Sequence, residues 1–200
     1  DREDSERGFK LKILGQEMTN EERHDLLKGF IDNLGRNLGS LETALVIAAW
    51  AHANAYSKKI FNEYGFFPFL FLWGRHAKGK TTFLKWILSL YGMHDSGCYT
   101  IPTMNSGVGF MRQLSYYSSV PLALDEVRAD NATKNFYGHF RSWYNRQGRT
   151  MGVKGSASDV ITQEVRATLI LSGQDVLTDA ATRSRCVEVQ MPANGRELKH

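Results

Sequence analysis

The order of apolar and polar positions predicts helices in the first part of the chain. Residues 19–22, Thr-Asn-Glu-Glu, have the spacing of a helix capping box, and leucine, phenylalanine and isoleucine follow at helical intervals. A second helix is expected from Ser40 to residue 61, and its first half is apolar on most sides, which is typical of a buried helix. Residues 1–18 are polar and weakly patterned, so we expect a flexible lead-in before a helical segment at 19–60.

Short apolar stretches follow, and helix-like segments separate most of them. The expected strands are residues 67–73, 99–102, 120–124, 165–171 and 186–191, and the expected helices are 80–91, 107–117 and 131–146. Strands that alternate with helices are typical of a parallel sheet with both faces covered. We therefore predict a three-layer α/β fold with a five-stranded parallel sheet at 61–192, followed by a tail at 193–200.

The composition is that of a globular chain and narrows the function only slightly. Of the 200 residues, 42% are hydrophobic and 23% are charged, which does not fit a disordered chain. The net charge of +4 permits a polyanionic partner without requiring one. The apolar runs are too short to cross a membrane and no signal-peptide pattern is present, so we expect a cytoplasmic protein. The two cysteines lack metal-ligand spacing, and the charged start suggests a piece of a longer protein.

One segment carries a phosphate-binding pattern. Residues 74–81, Gly-Arg-His-Ala-Lys-Gly-Lys-Thr, match G-x-x-x-x-G-K-[ST] between an expected strand and an expected helix. The glycines permit a tight turn whose N–H groups face phosphate oxygens, and the start of the helix adds its positive end. We expect Lys80 to reach the β- and γ-phosphates of ATP and the Thr81 hydroxyl to bind Mg²⁺. The residues expected around the nucleotide are Gly74, Ala77, Lys78, Gly79, Lys80, Thr81, Thr82 and Asp125.

Two acidic residues follow the expected strand at 120–124. An acid at the carboxyl end of a strand in an α/β sheet can hold Mg²⁺ through water, and Asp125 is expected to do so. Because side chains alternate along a strand, Glu126 points differently and can polarise an attacking water as a general base. This pairing favours hydrolysis over phosphate transfer to a small molecule. The plainer interpretation is two acidic residues before a surface turn.

Residues 60–192 resemble the AAA+ class of P-loop ATPases. The similar segments are FLFLWGRHAKGKTTFLKWILSLYG, LALDEV and ATLILSGQD. Within that class the chain is similar to the ATPase domains of phage and plasmid replication helicases, including domains fused to primases and related to superfamily 3 and minichromosome-maintenance helicases. The resemblance implies that the strand at 165–171 lies between the phosphate-loop strand and the Asp-Glu strand. It also implies a polar sensor of the γ-phosphate after that strand, with Gln174 as the first candidate and Ser172 as the second.

The resemblance also implies an arginine that acts in a neighbouring subunit. Arg185, with Arg183 as the alternative, corresponds to an arginine finger that stabilises charge on the γ-phosphate in the transition state. Such a finger requires a head-to-tail ring of identical subunits, and we expect a hexamer. The plainer interpretation is a surface arginine at the end of a helix.

A further segment bears on nucleic acid. Glycines and alternating residues across 148–155 predict a β-hairpin just before the sensor strand. Helicases of the resembled families carry a hairpin there that projects into the channel of the ring. The resemblance therefore implies that Lys154, helped by Arg149, grips the DNA backbone without reading bases. A surface loop with one lysine is the alternative.

These predictions are compatible with three functions. The first is an ATP-dependent DNA helicase motor that uses Mg²⁺ and translocates on single-stranded DNA or a forked duplex. It would be phage or plasmid encoded in a bacterial or archaeal cytoplasm, with a primase or polymerase domain on the same parent chain. The second is a loader or initiator that uses ATP as a switch on a protein–DNA complex and does not need the lysine-tipped hairpin. The third is a monomeric P-loop phosphotransferase, against which Glu126 counts.

Overall fold

The computed structural model describes residues 19–76, 79–93, 96–100, 107–128, 131–148, 150–152 and 160–191. The helices in these ranges are α1 (Asn20–Leu38), α2 (Leu41–Asn54), α3 (Ser57–Tyr64), α4 (Lys80–Ser89), α5 (Gly107–Tyr116), α6 (Asn131–Tyr144) and α7 (Ala180–Arg183). The strands are β1 (Phe69–Trp73), β2 (Cys98–Thr100), β3 (Pro121–Val127), β4 (Thr150–Gly152), β5 (Val160–Thr162), β6 (Thr168–Gly173) and β7 (Cys186–Gln190). None of the helices in the described ranges is both long and apolar enough to span a membrane.

Five strands form one parallel sheet in the order β2-β3-β6-β1-β7. Leu70 of β1 is aligned with Ile170 of β6 on one side and with Val187 of β7 on the other. Almost every residue of β1, β3 and β6 is buried, and since successive side chains of a strand point to opposite faces, both faces of the sheet are covered. The predicted α/β class and the five-stranded parallel sheet are confirmed, with β6 between β1 and β3.

The start of the helical segment follows its sequence pattern, and the next part departs from it. Thr19 and Glu22 form the predicted capping box at the start of α1. The stretch expected as one helix after Ser40 forms two helices, α2 and α3. It is interrupted at Ala55 and Tyr56, whose N–H groups bond to carbonyls only three residues earlier, as in a tightened final turn. The prediction of a single helix was therefore wrong.

The expectation that the first half of α2 is buried was wrong for one side of the helix. Ala44 and Ile47 are buried in the core, whereas Leu41 and Leu45 are 54% and 46% exposed. The helix packs through one face, and apolar residues on the opposite face remain accessible in the described part of the chain. A helix that is apolar on most sides can thus keep one side exposed.

Hydrogen bonds between distant residues join the helical segment to the sheet. The indole N–H of Trp50 donates to the carbonyl oxygen of Pro68, just before β1, at 2.9 Å. At the amino end of β6, the hydroxyl of Thr168 donates to the side-chain oxygen of Asn54, and both residues are buried. Because these polar groups are shielded from water, their partners fix how α2 sits against the sheet.

The predicted hairpin before the sensor strand is present at its base. Strands β4 and β5 pair antiparallel, with Thr150 opposite Thr162. The tip at 153–159, which includes Lys154, and residue Arg149 lie outside the described residues. Before β4 the chain passes so close to the carbonyl oxygen of Gln163 that a Cβ at Gly148 would overlap it. This close approach requires glycine.

Two glycine substitutions test the packing at the hairpin base. Gly148→Ala is expected to lower the free energy of unfolding by about 1–3 kcal/mol, because the added methyl group collides with backbone and with Met111. Gly138→Ala is the matched control, since Gly138 lies inside α6 with open space around its Cβ direction and is expected to stabilise the protein by about 0.5–1 kcal/mol. Urea unfolding measures both. Equal effects of the two substitutions would contradict the close approach.

Candidate functional site

The carboxyl ends of β1, β3 and β6 open into one polar cleft of about 220 Å³. The residues that line it are His76, Gly79, Lys80, Thr81, Thr82, Asp125, Glu126, Ser172, Gly173 and Gln174. A larger hollow of about 460 Å³ lies at the turn between α1 and α2, but it is away from the strand ends and more open. Ligands of open α/β sheets bind at the carboxyl ends of the strands, so the smaller cleft is the candidate site.

The segment between β1 and α4 forms one wall of the cleft. Gly79 has a left-handed conformation with φ of 72° and precedes α4 directly, where the first N–H groups of the helix have no partner within the helix. Gly74 has φ of 155°, and a Cβ there would lie 3.1 Å from the carbonyl oxygen of Met191. Glycine is therefore favoured at both ends of this turn. Ala77 and Lys78 lie outside the described residues.

Lys80 points back over the turn that precedes it. Its Nζ donates to the carbonyl oxygens of Gly74 and Arg75, at 2.6 and 2.7 Å. Burial lowers the pKa of the Lys80 ammonium, and the negative charge of Asp125 opposes this shift in part. The ammonium is thus held at the cleft by two neutral acceptors, which an anion with stronger acceptor oxygens can replace.

Asp125 is the buried centre of the site. Only 6% of the residue is exposed. Its Oδ2 accepts a hydrogen bond from the Thr81 hydroxyl at 2.5 Å, and its Oδ1 accepts from the Ser172 hydroxyl and from the backbone N–H of Glu126. A carboxylate and a hydroxyl side by side are the hard oxygen ligands that suit Mg²⁺, which usually takes one or two carboxylates together with phosphate oxygens. The described residues contain no cluster of three or more His, Cys, Asp or Glu side chains that would suggest another metal site.

Glu126 has an unusual backbone conformation. Its φ is 60°, in the left-handed region that few residues other than glycine adopt, and the pairing of β3 with β6 is irregular between Leu124 and Val127. This irregularity lies inside β3, which runs through Val127 and so includes both acidic residues that were expected to follow a strand ending at residue 124. The side chain of Glu126 is 45% exposed, and its Oε2 lies 3.2 Å from Nη2 of Arg128. An exposed pair of this kind contributes little to stability and is easily exchanged.

The two candidate arginines near β7 have different surroundings. The guanidinium of Arg185 lies 5.3 Å from the ring centre of Tyr144 and donates to the carbonyl oxygen of Ala181, so it is held within its own fold. Arg183 is half exposed and forms two hydrogen bonds to the carboxylate of Glu188, at 2.6 and 3.0 Å. Neither arginine lines the described cleft. The role of each in a neighbouring subunit stays a prediction, and the exposed position favours Arg183.

The structure brings most of the predicted nucleotide-site residues together. Lys80, Thr81, Thr82, Asp125, Glu126 and Gln174 all line the same cleft. Ser172, the second candidate for the phosphate sensor, donates a hydrogen bond to Asp125, a contact that the sequence did not predict. The pairing of Glu126 with Arg128 was also not expected. No sequence pattern predicts either contact, because both depend on the bend in the backbone of β3.

Comparisons with known proteins support the fold. No family model matches the chain, and no curated protein matches it. The A form of the apo structure of the NrS-1 C-terminal region is 16% identical, with a TM-score of 0.52 over 82% of this chain. A second apo structure of that region is 15% identical over 82% of this chain, with a TM-score of 0.48. The chain spans only 38% of the length of each of these neighbours, and the likeness to the first, at 16% identity, concerns the fold alone.

The left-handed conformation of Glu126 generates a prediction about stability. Glu126→Gly and Glu126→Ala both remove the carboxylate and its contact with Arg128, and they differ only in whether a Cβ remains at φ of 60°. Glu126→Gly is expected to be more stable than Glu126→Ala by about 1 kcal/mol, because glycine adopts this conformation without strain. Chemical denaturation of the two variants measures the difference. An alanine variant as stable as the glycine variant would show that residue 126 is not constrained in this way.

Proposed function

We propose that the chain is an ATP-hydrolysing P-loop domain of a DNA replication helicase. The observation that carries this proposal is the convergence of Lys80, Thr81 and Asp125, in which the Thr81 hydroxyl lies 2.5 Å from the Asp125 carboxylate at the ends of adjacent elements. A lysine and a hydroxyl at the start of a helix, together with a buried carboxylate from a neighbouring strand, are the groups that bind a magnesium–triphosphate complex.

The phosphate end of ATP would be held by α4 and the turn before it. The start of α4 lines the cleft, its first N–H groups have no partner within the helix, and the helix dipole favours negative charge there. Lys80 would exchange the carbonyl oxygens of Gly74 and Arg75 for phosphate oxygens, which are charged and therefore stronger acceptors. A lysine and several hydroxyl side chains line the cleft, which suits phosphate oxygens.

The oxygen ligands of Thr81 and Asp125 fit Mg²⁺. Bound Mg²⁺ would supply charge that offsets the phosphate oxygens, and the two side chains would keep it at the end of β3. Glu126 would act as the general base for the attacking water after leaving Arg128, which the weakness of their exposed contact allows. Gln174, which follows β6 and lines the cleft, would orient that water or contact the γ-phosphate.

The helicase part of the proposal rests on the sequence resemblance and on the strand order. The strand order places β6 between β1 and β3, which is the arrangement that the resemblance to AAA+ ATPases implies. In this account the subunits form a hexameric ring, and Arg183 of α7 or Arg185 just before β7 reaches the next subunit. The hairpin from β4 to β5 would carry Lys154 to single-stranded DNA.

Removal of the Lys80 amine tests the ATPase proposal. Lys80→Ala is expected to lower the rate of ATP hydrolysis in the presence of single-stranded DNA by about 10²–10³-fold, because the cation that neutralises the phosphates is lost. Lys85→Ala is the matched control, since Lys85 is an exposed lysine of the same helix that does not line the cleft. Its rate is expected to equal that of the unchanged protein. Phosphate release measures both rates, and a Lys80→Ala variant with full activity would contradict the proposal.

A mixing experiment tests hydrolysis at subunit interfaces. Lys80→Ala and Arg183→Ala are each expected to be inactive alone, the first for lack of phosphate binding and the second for lack of a finger. When they are mixed, an Arg183→Ala subunit keeps an intact cleft and receives the arginine of a Lys80→Ala neighbour, so activity returns in part. The same mixture with Arg185→Ala decides between the two arginines. If neither mixture gains activity over the separate variants, hydrolysis does not depend on an arginine from another subunit.

A further inference from the structure

The two oxygens of the Asp125 carboxylate are held by different partners. Oδ2 accepts from the Thr81 hydroxyl at 2.5 Å, beside the start of α4. Oδ1 accepts from the Ser172 hydroxyl and from the N–H of Glu126, the latter at 2.9 Å. One oxygen is thus directed to the cleft, and the other is bound inside the protein.

Ser172 borders the cleft but has no solvent-exposed surface, so its hydroxyl depends on a partner within the protein. It lies in β6 opposite Leu72 of β1. A rotation of the Asp125 carboxylate would leave the buried Ser172 hydroxyl without its acceptor. A buried polar group that loses its partner is costly, so the hydroxyl opposes such a rotation.

We propose that Ser172 is a positioning residue for the metal ligand Asp125. Its hydroxyl holds Oδ1 and thereby keeps Oδ2 beside the Thr81 hydroxyl, where both can bind Mg²⁺. This inference rests on the proposed function, because it assigns the metal of that same site. It differs from a sensor role, in which Ser172 would touch the γ-phosphate itself.

The Asp125 carboxylate also contacts Glu126, the proposed general base. Oδ1 of Asp125 also accepts the N–H of Glu126, the residue with φ of 60°. Ser172 and the bent backbone of β3 therefore share one acceptor oxygen. A shift of β6 would move the Ser172 hydroxyl and with it the Asp125 carboxylate. Because that carboxylate also accepts the N–H of Glu126, the shift would change the positions of both the proposed metal ligand and the proposed general base.

The test compares nucleotide binding with and without Mg²⁺. The affinity for ATP is measured calorimetrically in EDTA and in excess Mg²⁺, and the ratio of the two affinities reports how well the site holds the metal. Ser172→Ala is expected to lower this ratio about tenfold, as is common when a residue behind a metal ligand is removed, with the affinity in EDTA unchanged. Ser172→Thr keeps the hydroxyl and is expected to restore most of the ratio. If Ser172→Ala does not fold, Ser172→Cys, with its similar size and weaker donor, is expected to show a smaller loss of the same kind.

Thr168→Val is the matched control, because it also removes one buried hydroxyl bond from β6, but at the end remote from the cleft. It is expected to lower thermal stability and to leave the Mg²⁺ ratio unchanged. The inference is overturned if Ser172→Ala keeps the ratio of the unchanged protein, if Thr168→Val lowers the ratio equally, or if the affinity in EDTA falls as much as that in Mg²⁺. Unchanged protein that binds ATP with no Mg²⁺ dependence, or not at all, would instead contradict the proposed function.

Discussion

The placement of one buried carboxylate governs the rest of the site. Asp125 is buried near the carboxyl end of β3, where an ionised group is costly unless its oxygens are hydrogen-bonded. Donors from three different parts of the chain supply those bonds: α4 through Thr81, β6 through Ser172, and the backbone N–H of Glu126. Hydrogen bonds to Asp125 thereby connect α4, β6 and the bend in β3.

The groups around that point differ in how firmly they are held. Asp125 and Ser172 are buried. Lys80, in contrast, donates hydrogen bonds to two backbone carbonyls, and Glu126 forms an exposed ion pair with an arginine. Firm placement suits a metal ligand, because Mg²⁺ demands near-ideal geometry. Looser contacts suit groups that must turn toward a substrate, since exchanging an exposed ion pair costs little free energy. The backbone of Glu126, unlike its side chain, is firmly placed, because an unusual conformation such as its φ of 60° persists only where the surrounding structure over-determines it.

The amino-acid sequence predicted the sheet well because its strands are continuous apolar runs, and such runs are buried on both faces. It also predicted that Lys80, Thr81 and Asp125 lie close together. The spacing of the glycines indicates a tight turn between a strand and a helix, and an acid after a second strand of a parallel sheet lies at the same edge of that sheet. It did not predict the break between α2 and α3, since no glycine or proline marks it, nor the accessible face of Leu41 and Leu45. The Ser172 contact depends on the bend in β3 and on the packing of two strands that are distant in sequence, neither of which local patterns report.

The most direct test of the central claim follows the metal itself. Mn²⁺, which accepts the same oxygen ligands as Mg²⁺, can be observed by electron paramagnetic resonance with the protein and ATP. The account predicts that the protein changes the spectrum of Mn²⁺ with ATP to that of an immobilised ion that still couples to phosphorus nuclei of the nucleotide, and that a Thr81→Val variant gives the spectrum of Mn²⁺ with ATP alone. A spectrum that the protein leaves the same as that of Mn²⁺ with ATP alone, or that is the same before and after Thr81→Val, would contradict it.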